Sequence, residues 1–356
     1  MIGAWRFALA ALVVVYHLVL PLRPLGTYAV FGFYLLSGYL MTRVLHERYG
    51  YDARGRLLYA GNRLLRIFPP YWAALAFAAV LLVRFGEAAL AAHPALRAFE
   101  GPGELLANLI LVYPAWVPWE YTPRWVPPSW SLTVELVFYL LIGLGVSRTL
   151  PRVLVWLALS IGYVAWTYAA GLDWRFRYFA VGAASLPFAL GALLYFLTRA
   201  RAPLAGREAR PWLLAWAAVV LGAAAAYGAA YLQGAHLFAG ACYEAGLYLS
   251  LALAAVALHR LARGARCVGL SPAMDRRLGD LSYPLYLLHW PVWLLAATAV
   301  AGAPFPPSPS AVGLQAFAVA VPLLLGLSTI LHHGIERPLE VLRATLRSRA
   351  AGGRPS

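Results

Sequence analysis

Long apolar stretches follow one another from end to end of the chain, each about 18–22 residues and long enough to cross roughly 30 Å of hydrocarbon as a helix. The pattern predicts ten spans: 4–22, 28–46, 69–84, 130–147, 152–170, 177–198, 211–231, 241–259, 281–300 and 311–332. Between the third and fourth, residues 105–116 are apolar but too short to cross, with Pro and Trp close by. They predict a re-entrant or interfacial segment. The expected fold is an all-α polytopic membrane protein. Residues 1–338 form its transmembrane domain and 339–356 a short basic tail that is expected to fray. No internal repeat of the inverted-transporter kind is visible.

Composition agrees. With 62% hydrophobic residues and a mean hydropathy of +0.69 the chain is too apolar for a water-soluble protein. The first apolar run has no clear cleavage site and holds a histidine, so it reads as a span and not as a signal peptide. A net charge of +15 invites a nucleic-acid reading, but the arginines cluster just after Met41, at 148–152, at 199–210, at 260–277 and from 337 onward. That is the signature of cytoplasmic loops, and no nucleic-acid partner is expected. All the basic residues are Arg, which carries no functional weight. If the loops at 47–66 and 148–152 are both inside, an even number of crossings joins them, so 105–116 does not cross. Both termini then lie in the cytoplasm, and the arginine-poor loops, 301–310 among them, lie outside. The expected setting is a multi-pass protein of the cell membrane, of the bacterial cytoplasmic membrane in particular. Cys242 and Cys267 are too few for a disulfide framework and fall near opposite faces, which suits inert packing residues.

Four polar constellations interrupt this apolar background. Arg6 and His17 share the first span, eleven positions apart, hence one helix face and about 16 Å. Ionisable groups in a span are costly and mark sites or partners, and a histidine can take a proton near neutral pH. Arg63 and Arg66 share a face at the mouth of span three, before Pro69 and Pro70, which predict a kink or helix start. Two guanidinium forks suit phosphate, although basic anchoring explains them too. Ser131, Glu135 and Tyr139 repeat every four residues as a polar stripe in span four. A carboxylate there can pair with His17 or meet a hydroxyl-rich substrate. Ser282, Tyr286, His289 and Trp293 line one face of span nine, with His289 just ahead of Trp290-Pro291.

In this order and at these separations the constellations resemble the acyltransferase-3 family of integral membrane acyltransferases. The matching points are Arg6 with His17, the segment Tyr34-Leu35-Leu36-Ser37-Gly38-Tyr39, Arg63 with Arg66, Trp130-Ser131 with Glu135, the run ending His289-Trp290-Pro291, and Glu336-Arg337-Pro338. Family members commonly open with Leu-Asp-Gly-Leu-Arg; here Met1-Ile2-Gly3-Ala4-Trp5-Arg6 keeps the arginine and lacks the acid. Some relatives carry an added esterase-like domain, and the chain stops too soon after span ten for one. Acceptor capture is then expected of the membrane domain or a partner.

The resemblance implies transfer of an acyl group, acetyl in many members, from a cytoplasmic acyl-CoA to a hydroxyl of an envelope or exported carbohydrate, or of a metabolite. Acyl-CoA is a co-substrate, and no permanently bound cofactor or metal is expected. His17 and Glu135 are the expected catalytic pair, His17 as base or as acyl relay. Arg6, Ser37, Arg63, Arg66, Ser131, Tyr139, Tyr286 and His289 are the expected substrate-binding residues, with membrane lipids as the surroundings. The competing reading is a proton-coupled transporter or a carrier of a lipid-linked sugar, using the same groups as a relay.

Overall fold

A backbone in hydrocarbon must satisfy its own N–H and C=O groups, so apolar runs of this length become helices. The computed structural model describes residues 2–201, 204, 209–265 and 270–351, the last six as backbone alone, and no strand occurs among them. The helices are α1 Ile2–Leu18, α2 Arg23–Val44, α3 Ala53–Phe85, α4 Glu87–Ala91, α5 Pro102–Ile110, α6 Trp130–Leu144, α7 Leu150–Ala169, α8 Val181–Arg199, α9 Arg210–Leu232, α10 His236–Ala262, α11 Pro272–Ala301, α12 Ala311–Leu331 and α13 Arg337–Ala351. Among the described residues, nine helical segments are long and apolar enough to cross a membrane, and α1, with 17 residues, is a shorter apolar tenth. Every expected span therefore has its helix, as an all-α polytopic membrane protein requires.

Two boundaries differ from expectation. The third span does not start at Pro69: α3 begins at Ala53, where the Asp52 carboxylate accepts from Gly55 N at 2.5 Å as an N-cap. It then runs straight through Pro69 and Pro70. Each proline removes one donor without ending the helix. The tail does not fray where it begins either, because α13 continues from α12 through a π-helical turn, His332–Glu336, and packs against α3. Asn62 Nδ2 donates to the Arg343 carbonyl at 3.4 Å, and Arg343 itself is buried and paired with Glu340.

The short segment before α6 does behave as its length requires. α5 has nine residues, about 14 Å of helix, and stops at Leu111 in the left-handed region at φ 55°. Its Leu105, Leu106, Leu109 and Ile110 are exposed. Asn108 is buried, donating to Glu104 O and Pro123 O and accepting from Trp125 N.

The contacts divide into two units: Met1–Tyr16, Pro21–Arg43 and Gly145–Ser282 form the first, and His17–Leu20, Val44–Leu144 and Tyr283–Ser356 the second. In the first, α2 is the most enclosed helix and α7 and α9 are the least. α2 meets α8 backbone to backbone. A Cβ on Gly38 would collide with the Phe188 carbonyl and one on Gly191 with the Leu35 carbonyl, so this crossing needs glycine on both sides. Asp275 Oδ1 caps α1 by accepting from Ala4 N at 2.9 Å. In the second unit α11 is the enclosed helix. Leu294 on it packs with Leu81, Leu82, Ala89, Ala92 and Leu96, which fixes the turn after α3 against its side. Cys242 is a free, partly buried thiol, and Cys267 lies outside the described residues.

Candidate active site

The second unit brings His17, from the end of α1, to His289, from the middle of α11. His17 Nδ1 and His289 Nε2 are 3.0 Å apart, with the rings within 4° of parallel and their centroids 5.0 Å apart. His289 is fully buried. Its other nitrogen, Nδ1, lies 2.8 Å from the Tyr286 carbonyl one turn back. A carbonyl only accepts, so Nδ1 of His289 carries the hydrogen. With both rings neutral, His289 Nε2 is then an acceptor, and His17 Nδ1 must be the donor. The lone pair of His17 is thereby set on Nε2, the nitrogen able to take a proton.

The carbonyl that anchors this chain is itself held. The Tyr286 hydroxyl donates to Pro128 O at 2.8 Å and meets Ser131 Oγ at 2.6 Å. Ser131 Oγ also reaches Pro128 O at 3.2 Å, so the two hydroxyl hydrogens are shared among three contacts. Both residues are buried, and together they pin α11 to the start of α6. Glu135, one turn further along α6, accepts from Tyr139 at 3.2 Å and acts electrostatically on Tyr283 and Tyr286. Tyr59, on α3, donates to the Tyr139 carbonyl at 3.2 Å.

A second cluster lies on α3. Arg66 pairs with Glu336 of the π-turn at 3.1 Å, and His332 meets the other carboxylate oxygen at 3.0 Å. Glu336 is buried. Arg63 Nη2 donates to its neighbour Asn62 at 2.5 Å. Tyr283 donates to the Ile67 carbonyl at 2.9 Å and carries the Arg66 guanidinium 5.6 Å from its ring. The two arginines therefore differ: one is matched by a buried carboxylate, the other by an amide.

Three further groups lie around the histidine pair: Trp290, from the His289-Trp290-Pro291 run, and His93 and Arg124, which carry no motif in the sequence. Trp290 puts its ring 6.0 Å from that of His17 and 4.3 Å from that of His93, edge to face in the second case. Its indole N–H is buried and has no hydrogen-bond partner among the described residues. His93, in the turn after α4, accepts from Ala95 N on Nδ1 at 3.0 Å, so its hydrogen sits on Nε2. Arg124 is 2% exposed and is held by backbone carbonyls, from Trp119 at 2.6 Å, Pro127 at 3.1 Å and Tyr121, while its own N–H binds Ala95 O at 2.8 Å. Burial lowers Arg124 to about 10. Burial first, and then the charges of Arg124 and His289, hold His93 at about 3. One faint signal was available for Arg124, an arginine on the arginine-poor side of the chain.

A family model described as an acyltransferase domain matches residues 2–332, nearly the whole chain. The chain belongs to the acyltransferase-3 family. It is a multi-pass membrane acyltransferase, and the transporter alternative falls. No curated protein and no solved structure matched it. Of the site residues that the family resemblance implies, the structure gathers His17, Arg63, Arg66, Ser131, Glu135, Tyr139, Tyr286 and His289 in the second unit. Arg6 on α1 and Ser37 on α2 belong to the first, and each is partly buried there.

His93 sets one pH dependence. Below its ordinary value of 6.5 the unfolded chain takes a proton that folded His93 refuses until about 3. Its contribution to stability is present above pH 6.5 and is lost as the pH falls, by at most about 2 kcal/mol at pH 5. The melting temperature of the purified protein should thus drop between pH 7.5 and pH 5, and His93→Gln should show a smaller drop. Equal drops would show that His93 is not held neutral.

Proposed function

We propose that this acyltransferase moves an acyl group, acetyl in the first instance, from a cytoplasmic acyl-CoA to a hydroxyl of an envelope or exported carbohydrate, with His17 as general base. The observation that carries the reading is the hydrogen-bonded chain from the Tyr286 carbonyl through His289 to His17, which sets the basic lone pair on His17 Nε2. In this mechanism Nε2 removes the proton of the acceptor hydroxyl as its oxygen attacks the thioester carbonyl. The new C–O bond forms, the C–S bond breaks, and the imidazolium returns the proton to the departing thiolate. His289 holds His17 in the right tautomer, and Ser131 and Tyr286 hold His289, so we assign these three to positioning. The Trp290 indole N–H is a donor for the negative charge that develops on the carbonyl oxygen, which accounts for a buried N–H without a partner.

Arg63 and Arg66 are assigned to the phosphates of the acyl-CoA. Glu336 fixes the orientation of Arg66. Glu135 and Tyr139 are assigned to the acceptor hydroxyls, and Arg6 and Ser37 are kept as substrate-binding residues on the family resemblance. Both termini are placed in the cytoplasm of a bacterial cell, on the arginine distribution.

Three outcomes test this. His17→Gln and His17→Ala should each lower acyl transfer by about 100-fold or more while folded protein stays at the wild-type amount. Near-full activity in His17→Gln, normalised to folded protein, would end the base assignment.

Trp290→Phe keeps the ring and deletes the N–H. Steady-state kinetics should show kcat reduced by about 100-fold, an unchanged KM for both substrates and an unchanged pH profile. A variant with wild-type kcat would return Trp290 to packing.

For the donor side, Arg63→Ala should raise the KM for acyl-CoA by about tenfold or more and leave that for the acceptor alone. Arg66→Ala should in addition lower the yield of folded protein, because it strands buried Glu336. Adding Glu336→Gln should restore the yield without restoring donor affinity. Unchanged donor KM in Arg63→Ala would make these arginines membrane anchors.

A further inference from the structure

The first unit holds a cation that the assignments above leave unused. Arg23 opens α2, and its guanidinium lies 4.1 Å from the ring centre of Trp174 and 5.8 Å from that of Tyr227. It has neither a carboxylate nor a side-chain hydrogen-bond acceptor among the described residues. The acidic residues on the flanking elements are committed elsewhere: Asp173 to Arg175 at 2.7 Å, and Glu244 to Arg177 at 2.7 Å. Stacking occupies the flat faces of a guanidinium and leaves its N–H edge to be satisfied. A partly buried arginine in this state is built to meet a planar anion edge-on.

A second observation points the same way. Tyr243, 1% exposed, packs against Trp174 at 5.8 Å and Tyr227 at 6.4 Å, and its hydroxyl is within electrostatic reach of Arg23. Among the described residues that hydroxyl is within reach of Thr27 alone, and in poor geometry. Thr27, beside it, already gives its hydrogen to the Arg23 carbonyl at 2.8 Å. The Tyr16 hydroxyl also feels Arg23, and Tyr16 is the residue immediately before His17. One cluster thus offers a charged fork, a buried hydroxyl only weakly held by Thr27 and several aromatic faces.

We infer that Arg23, Trp174, Tyr227 and Tyr243 form a subsite for an anionic sugar, with the phosphate or carboxylate on Arg23, the hydroxyls on the tyrosines and the apolar sugar face on the rings. The inference deepens the proposed function, since it rests on the reading that the acceptor is a carbohydrate. It adds that the acceptor carries negative charge. The same charge could come from a phospholipid headgroup, and the experiment separates the two sources.

The full chain, in nanodiscs of phosphatidylcholine and without acyl donor, is titrated calorimetrically with glucose 1-phosphate, glucuronic acid and glucose. At least one anionic probe should bind about tenfold or more tightly than glucose. Arg23→Gln should remove that advantage and leave glucose unchanged, while Arg23→Lys should keep part of it, because the charge stays and the stacked fork is lost. Trp174→Phe, which retains Arg23, should weaken both classes of probe and serves if Arg23→Gln does not fold. Equal binding of charged and neutral probes, or a charge preference that survives in Arg23→Gln, overturns the subsite. So does the lipid outcome, in which no probe binds and wild type, unlike Arg23→Gln, enriches phosphatidylglycerol from mixed discs. Binding is read without catalysis, so its failure is distinct from a failure of His17 as base.

Discussion

Two imidazoles joined nitrogen to nitrogen inside a helical membrane protein set the terms for everything around them. Such a pair has one hydrogen to share between two rings, and only an outside acceptor decides which ring gives it. Here the Tyr286 carbonyl decides, because it can do nothing except accept. The direction of every later bond follows from that, through His289 to the far side of His17. The course of α11 through two prolines, the bond of the Tyr286 hydroxyl to Pro128 and the packing of Leu294 under the turn of α3 all serve to keep one carbonyl in place. Loss of any of them acts on the chemistry at a distance, through the tautomer.

Charge is handled differently in the two clusters of the second unit. Beside the histidines, Arg124 is buried among carbonyl oxygens with no carboxylate to match it among the described residues. Its field disfavours further positive charge, as the low value of His93 reflects. On α3 the opposite holds, where Arg66 faces a buried carboxylate and Arg63 an amide. The first arrangement suits a base that starts neutral and an oxyanion that forms late. The second suits an anion that arrives from water and must leave again.

The fold was legible from hydrophobicity because the membrane leaves few alternatives, and ten apolar runs gave ten helices. Boundaries were less so. Pro69 and Pro70 look like a start, but the cap that decides is Asp52, seventeen residues before Pro69. The basic tail reads as solvated on composition alone, and what orders it is a partner on α3, which no local pattern reveals. In the site, residues inside spans stood out against apolar neighbours, as with His17, Glu135 and His289. Those in loops did not: His93 and Arg124 sit among other polar residues, and their importance comes from burial. Trp290 stood in the run after His289, but its unmatched indole N–H is visible only once its surroundings are known.

The length of α3 has a consequence for where its arginines stand. Thirty-three residues make a rod of about 50 Å, against about 30 Å of hydrocarbon. Roughly 20 Å, some thirteen residues, must stand in headgroups or water. The apolar Tyr71-to-Phe85 end is the part suited to lipid, so the excess falls at the Ala53 end, which carries Arg54, Arg56, Arg63 and Arg66. α3 is thus a mooring post as well as a span. An anion tied up along it stays hydrated.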